Sequence, residues 1–212
     1  MRKLTRGCVG APACLSSYHH GKHTWDDLEA EDREQIRACL EQMQGRRCAY
    51  CEGSVDELGQ HIEHFRRKAG GHFPELTFDW SNLYWSCDKK DSCGHYKDHG
   101  AGAYDIREVI DPCEDDPDMF FRFRTNGNIS IRAGLSAIDR RRAEETLRVF
   151  SLDAQWGRLR QMRRAALTGY VSMVDGCSAF TAQELRELFQ HELQEAELLP
   201  FSTAIRHTLT EP

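Results

Sequence analysis

Five residues in the first half of the chain have the types and spacing that hydrolytic chemistry uses: His61, Glu63, His64, Asn82 and His95. Hydrolysis of a phosphodiester needs a base that takes a proton from water and a Lewis acid on the phosphate and leaving oxygen. A neutral imidazole suits the first task because its ordinary pKa is close to working pH. A carboxylate or a second imidazole suits a metal ion. In an extended segment His61 and Glu63 share one face. That makes His61 either an extra ligand or a hydrogen-bonded support for its neighbours.

A frame of cysteines surrounds these residues. Cys48 and Cys51 have C-x2-C spacing, in which a tight turn lets two thiolates reach one ion. Cys87 and Cys93 form a second, looser pair. Structural zinc takes four ligands in a closed tetrahedron, and four cysteines in two pairs meet that demand. The alternative is thiols packed as small apolar side chains, and it is stronger for the wider pair. His95, two positions after Cys93, competes with it for the fourth place.

Together, Cys48-Ala49-Tyr50-Cys51, His61-Ile62-Glu63-His64-Phe65-Arg66, Trp80-Ser81-Asn82-Leu83 and Cys93-Gly94-His95-Tyr96-Lys97-Asp98 resemble the HNH endonuclease family, with its ββα-metal fold. More narrowly, they look like the PtuB nuclease subunits of Septu and Septu-like retron antiphage systems. Softer similarity at Met1-Arg2-Lys3-Leu4-Thr5-Arg6-Gly7 and Leu199-Pro200-Phe201-Ser202 extends the resemblance over most of the chain. It implies His64 as general base, and Glu63 and His95 as ligands of a catalytic divalent metal, Mg2+ or Mn2+, with His61 an added candidate. It implies Asn82 as the residue that holds the loop and orients the base. It implies Cys48, Cys51, Cys87 and Cys93 as ligands of a structural Zn2+. Glu63 stands where many members have aspartate, and the second cysteine pair is wider than the commoner C-x2-C. The resemblance also implies a nucleic-acid substrate, DNA first and RNA such as tRNA second. The partners it implies are a PtuA-like ABC-type ATPase and, in retron systems, a reverse transcriptase with its multicopy single-stranded DNA. Two other readings stay open: a stand-alone HNH restriction endonuclease, and a zinc-stapled adaptor that binds nucleic acid or a partner without cutting.

To position these residues the chain needs two strands and a helix. The expected architecture is α+β: a zinc-stapled ββα-metal core with a β-hairpin and flanking N- and C-terminal helices. Residues 1–45 are an arm and a helix, 46–101 the nuclease module, 102–134 an acidic loop and hairpin, and 135–212 a helical region. Within the module, strands are expected over 57–65 and 78–85, and a helix beginning near Cys93 to His95. Trp80 and Trp85 read as packing residues rather than base-stacking platforms. So small a module buries little apolar surface, so zinc contributes directly to its folding.

On the N-terminal side, residues 1–24 are an irregular, flexible arm or docking strap, in spite of Cys8, Cys14, His19, His20 and His23. A helix over 25–44 is capped by Asp26 or Asp27, carries Leu28, Ile36, Leu40 and Met43, and stops at Gly45. On the C-terminal side, residues 111–118 are a solvated acidic turn. Residues 119–132 form a hairpin around a two-residue Asn126-Gly127 turn, with Arg122 and Arg124 on one face as phosphate contacts or edge charges. Helices complete the chain: one opened by Ser136 or Asp139, one over 152–174, and one opened by Thr181 with Glu184 as a capping box.

The 212 residues carry a net charge of −6, which argues against a generic nucleic-acid binder, since those show a basic excess. A local patch suffices, however. Arg66, Arg67, Lys68 and Lys97 are the candidates for phosphate contact, with ordinary surface charge as the alternative. Arg140-Arg141-Arg142, Arg158, Arg160, Arg163 and Arg164 make the C-terminal half locally basic. The acidity suggests that a partner supplies much of the substrate surface. No apolar run approaches the roughly 18 residues of a membrane span, and the N-terminus lacks the apolar stretch of a secretory signal. Nine cysteines beside a zinc pattern point to a reducing cytoplasm. That leaves Cys8, Cys14, Cys39, Cys113 and Cys177 as free thiols. With no Walker motif and no nucleotide-binding glycine loop, any ATP is bound by another chain.

Overall fold

The structure of the protein is a computed structural model that describes residues 1–7 and 9–211. Cys8, one of the expected free thiols, lies outside the described residues. The expected first helix divides. Thr24 and Asp27 form a capping box over a single 3-10 turn, Trp25–Asp27, and the chain then extends at Leu28. The helix proper, α1, is Ala30–Gln44, with Ile36, Leu40 and Met43 on its buried face. Gly45 ends it at φ 62°, ψ 49°, a left-handed conformation open to glycine at no steric cost. Gln44 is fully buried and ties the helix to the next turn and to a distant strand. Its Nε2 donates to the carbonyls of Arg47 and Trp85, and its Oε1 accepts from the Trp85 N–H.

One short helical turn, α2 (Val55–Leu58), leads into strand β1 (Gln60–His64). It pairs antiparallel with β2 (Leu83–Cys87), His64 opposite Leu83 and Gln60 opposite Cys87. Both strands are shorter than expected, because 55–58 is helical and Trp80–Asn82 is a 3-10 turn capped by the Asp79 side chain. Every residue of β2 is buried. Helix α3 (Cys93–His99) comes next and packs on β2, giving the order strand, strand, helix.

A second small sheet pairs β3 (Phe121–Phe123) with β4 (Ile129–Ile131). Its loop is one residue longer than expected. The Arg124 N–H still donates to Asn128, so Thr125, Asn126 and Gly127 make the turn, with Gly127 at φ 85°. Five helices complete the chain: α4 (Ala137–Val149), α5 (Arg158–Val174), α6 (Ala182–Leu188), α7 (Gln190–Ala196) and α8 (Ser202–Thr210). Ser136 caps α4, and Thr181 with Glu184 forms the capping box of α6. Helix α8 is an element that sequence reasoning does not separate. It is buried along most of its length and packs on α5, α6, α7 and β3.

Three expectations give way. The N-terminal arm is irregular but packed: Met1, Leu4, Val9 and Leu15 are buried, and the Arg6 guanidinium lies 4.5 Å from the Tyr84 ring centre. The acidic turn is not simply solvated. Asp111 is buried against the Tyr84 hydroxyl, Asp115 pairs with Arg142, and Asp118 meets Arg206 and His207. Much of the C-terminal basic character is neutralised internally, since Arg141 pairs with Glu108, Arg158 with Asp91, and Arg160 and Arg163 with Asp153. Trp85 is buried and Trp80 partly so, both packed against the core. Among the described residues, no helix is long and apolar enough to cross a membrane.

Candidate metal centre and active site

The turn between α1 and α2 carries Cys48 and Cys51, β2 ends on Cys87, and α3 opens on Cys93. Their four sulfurs lie within 4.8 Å of one another, and all four residues are buried. Zinc–sulfur bonds of about 2.3 Å in a tetrahedron set sulfurs about 3.8 Å apart, so a slight contraction fits the ion. Without a cation the thiols oppose one another's ionisation. Burial works against a Cys48 thiolate, yet contacts with the other three sulfurs bring it well below the ordinary thiol value. Cys87 is pushed up by Cys48 and its neighbours, and Cys93 by burial. A dication lets all four ionise together. His95 does not compete for this place, because its Nε2 donates to Asp88 Oδ1 at 2.6 Å.

Strand alternation puts His61 and Glu63 on one face of β1, where α3 meets them. Glu63 is 3% exposed. Its Oε2 accepts from His61 Nε2 at 3.0 Å, and its Oε1 lies 2.8 Å from Lys97 Nζ. Burial alone would raise this carboxyl, but the Lys97 charge and the His61 hydrogen bond hold it at about 2. Gly94 leaves the necessary room, since a Cβ there would lie well inside contact with Glu63 Oε2. Lys97 therefore does not meet phosphate as expected. It is buried between Glu63, Asp98 Oδ1 at 2.6 Å and the His64 carbonyl at 3.1 Å. The His61 and His95 rings lie 4.4 Å apart, and one ligand atom from each falls within 4.8 Å of an Asp88 oxygen. Sequence reasoning missed Asp88. Its only signal was its place directly after Cys87, where β2 hands the chain toward α3.

His64 ends β1 and borders the same cleft as Glu63. Its Nε2 donates to the Thr77 carbonyl at 2.9 Å, and its ring meets Trp25 edge to face at 4.5 Å. Burial, with the charge of Lys68, lowers it to about 4, so it is neutral at pH 7. A carbonyl only accepts, so Nε2 carries the proton and Nδ1 the lone pair. Asn82 is fully buried and clamps the loop that leaves His64. Its Oδ1 accepts from the Arg66 N–H at 2.6 Å, and its Nδ2 donates to the carbonyls of Arg66 at 3.0 Å and Leu76 at 3.2 Å. That cleft, of about 160 Å³, is lined by His61, Glu63, His64 and His95, and also by Arg67 and Lys68. Arg66 is half-buried, and its backbone is the part Asn82 holds. Arg67 is drawn toward Asp98 at 3.9 Å, and Lys68 lies 5.9 Å from the Trp25 ring centre.

No family model matches the chain. Among curated proteins it is similar to a Septu protein PtuB of Bacillus mycoides (strain KBAB4), 26% identical over 62% of this chain and 51% of that protein. It is also similar to a protein of Vibrio cholerae serotype O1 biovar El Tor named for the HNH endonuclease of retron Vc95, 29% identical over 61% of this chain and 65% of that protein. A Septu protein PtuB of Bacillus thuringiensis is 33% identical over 39% of this chain and 30% of its own length. The chain thus spans about half the length of the first relative and 65% of the second. The likeness to PtuB and to a retron HNH endonuclease that the motifs carry is found again in these proteins.

Proposed function

We propose that this chain is a metal-dependent HNH endonuclease that hydrolyses nucleic-acid phosphodiester bonds, DNA first and RNA such as tRNA second. Its setting is that of effector subunit in a Septu-like antiphage complex with a PtuA-like ABC-type ATPase, joined in retron systems by a reverse transcriptase and its multicopy single-stranded DNA. One observation carries the reading: a single cleft is lined by His61, Glu63 and His95 together with a neutral His64. The likeness to PtuB and to a retron HNH endonuclease supports the class and the setting.

In this reading the four cysteines hold structural zinc and fix the ends of β2 and α3 against the first turn. A divalent cation in the cleft supplies Lewis acidity toward the phosphate and the departing oxygen when bound. His64 takes the proton of the attacking water on Nδ1, while its Nε2–H stays on the Thr77 carbonyl. A base at about 4 is weak at neutral pH. The charge of an incoming phosphate raises it, because a nearby anion favours the imidazolium. Asn82 keeps the His64 end of β1 in place, and Arg66, Arg67 and Lys68 approach the phosphate backbone.

The test is cleavage of plasmid DNA and bulk tRNA by the zinc-loaded chain with Mg2+ or Mn2+, with and without the ATPase. Wild type is compared with His64→Ala and Cys48→Ser. Wild type should leave 5′-phosphate and 3′-hydroxyl ends. His64→Ala should keep its fold and zinc and lose about 100-fold or more in rate. Equal cutting by wild type and His64→Ala would overturn the assignment of the base. Antiphage protection that survives His64→Ala but not Cys48→Ser would favour a non-catalytic adaptor, and full activity without an ATPase would favour a stand-alone enzyme.

A further inference from the structure

We infer that Asp88 is a metal ligand beside this cleft, that it shares the ion with His61 Nδ1 and His95 Nε2 of the cleft wall, and that the site takes a transition-metal dication in preference to Mg2+. The inference rests on the nuclease reading for what the ion does and on geometry for its place. It also reassigns Glu63 from ligand to positioning residue.

The ligand atoms of His61, Asp88 and His95 lie within 4.8 Å of one another. Metal–nitrogen and metal–oxygen bonds of about 2.0–2.2 Å place ligand atoms on one ion up to about 4 Å apart, so a small inward movement closes the site. A hydrogen bond explains the approach of His95 to Asp88 at 2.6 Å, but it does not explain His61. The His61 Nδ1 is buried without a hydrogen-bond partner and lies 4.0 Å from the same Asp88 oxygen. Its other nitrogen, Nε2, donates to Glu63. In the neutral ring that leaves a lone pair on Nδ1, turned toward Asp88 and otherwise unused. A histidine that donates one ring N–H to a carboxylate and offers the other nitrogen outward is the usual form of a metal-binding histidine with its outer partner.

Glu63 is already occupied. Its two oxygens meet His61 and Lys97, and Gly94 closes against it. It acts through His61 by fixing the tautomer and the ring plane. Asp88 has the opposite circumstances: its side chain is 55% exposed at the end of β2, free to turn onto an ion. Two imidazoles and one carboxylate suit Mn2+, Co2+, Ni2+ or Zn2+, whereas Mg2+ prefers oxygen ligands throughout.

The test uses the full chain with its thiol cluster loaded with zinc. Mn2+ is titrated and followed by the electron paramagnetic resonance signal of the free ion, with and without excess Mg2+. Wild type should bind one further Mn2+ per chain that Mg2+ does not displace at equal concentration. Asp88→Ala, an exposed change, should keep its zinc and its circular dichroism and weaken Mn2+ binding by at least about tenfold. Glu63→Gln should weaken it less. Unchanged Mn2+ affinity in Asp88→Ala would overturn the inference, as would a larger loss in Glu63→Gln than in Asp88→Ala, or ready displacement by Mg2+. Parallel cleavage assays separate the two claims. Mn2+ bound through Asp88 with no cleavage would sink the nuclease reading and keep the site. Cleavage with Asp88 dispensable for Mn2+ would do the reverse.

Discussion

Lys97 is a lysine whose charge does not reach solvent. Its ammonium sits among the Glu63 and Asp98 carboxylates and the His64 carbonyl, and burial that would lower it is outweighed by those carboxylates. Removing it leaves the buried Glu63 with its His61 hydrogen bond and without a cation. Lys97→Met should therefore cost about 3–5 kcal/mol of stability, and adding Glu63→Gln should recover part of that loss. Denaturant unfolding of the zinc-loaded single and double variants checks this, and a Lys97→Met protein as stable as wild type would refute it. From sequence, the shared face of His61 and Glu63 was legible through strand parity, and the pairing of Cys48 with Cys51 through tight-turn spacing. Lys97 was not, since a lysine on a short helix looks the same whether it faces solvent or a carboxylate across the sheet. Asp88 was not legible either, because a single aspartate after a cysteine becomes a possible ligand only once β1 and α3 bring His61 and His95 to it.

Hairpin β3–β4 shows the same division among elements. Asn126-Gly127 marked the turn correctly, but pairing of Arg124 with Asn128 makes the loop three residues, and Gly127 takes the left-handed position. The turn is also a packing contact. The Gly127 carbonyl accepts from Arg163 Nε at 2.7 Å, and a Cβ on Gly127 would press into the Arg160 carbonyl and lie 3.0 Å from the Arg164 nitrogen. Gly127→Ala should destabilise the protein by more than about 1 kcal/mol through strain and displacement of α5. A melting temperature within error of wild type would contradict this. Caps within four residues, such as Ser136 over α4 and Thr181 over α6, were readable because their hydrogen bonds are local. The late start of α5 was not. Residues 150–157 are held by distant partners, Phe150 accepting from the Cys93 N–H and Asp153 from the Ile129 N–H.

At the scale of the molecule, Glu52 joins three distant parts of the chain beside the thiol cluster. Its Oε1 lies 2.8 Å from the Met1 ammonium, while its Oε2 accepts from the Ser202 hydroxyl at 3.1 Å and from the Thr203 N–H and hydroxyl at 3.0 and 2.9 Å. The N-terminal arm and α8 are thereby fastened to the same turn that carries Cys48 and Cys51. Burial would raise the Glu52 carboxyl, but the Met1 charge and the Thr203 bonds hold it at about 2. An unfolded glutamate titrates at about 4.3. Because the folded value is the lower one, the stabilisation is fully present above about pH 4.3 and drains away as pH falls toward 2. Its upper size is about 3 kcal/mol, from roughly two pKa units at 1.36 kcal/mol each. Urea unfolding at a series of pH values should show Glu52→Gln less stable near neutrality and the gap narrowing below about pH 4.3. A gap that stays constant through that window would mean that Glu52 contributes by shape and hydrogen bonding alone, and not by its charge.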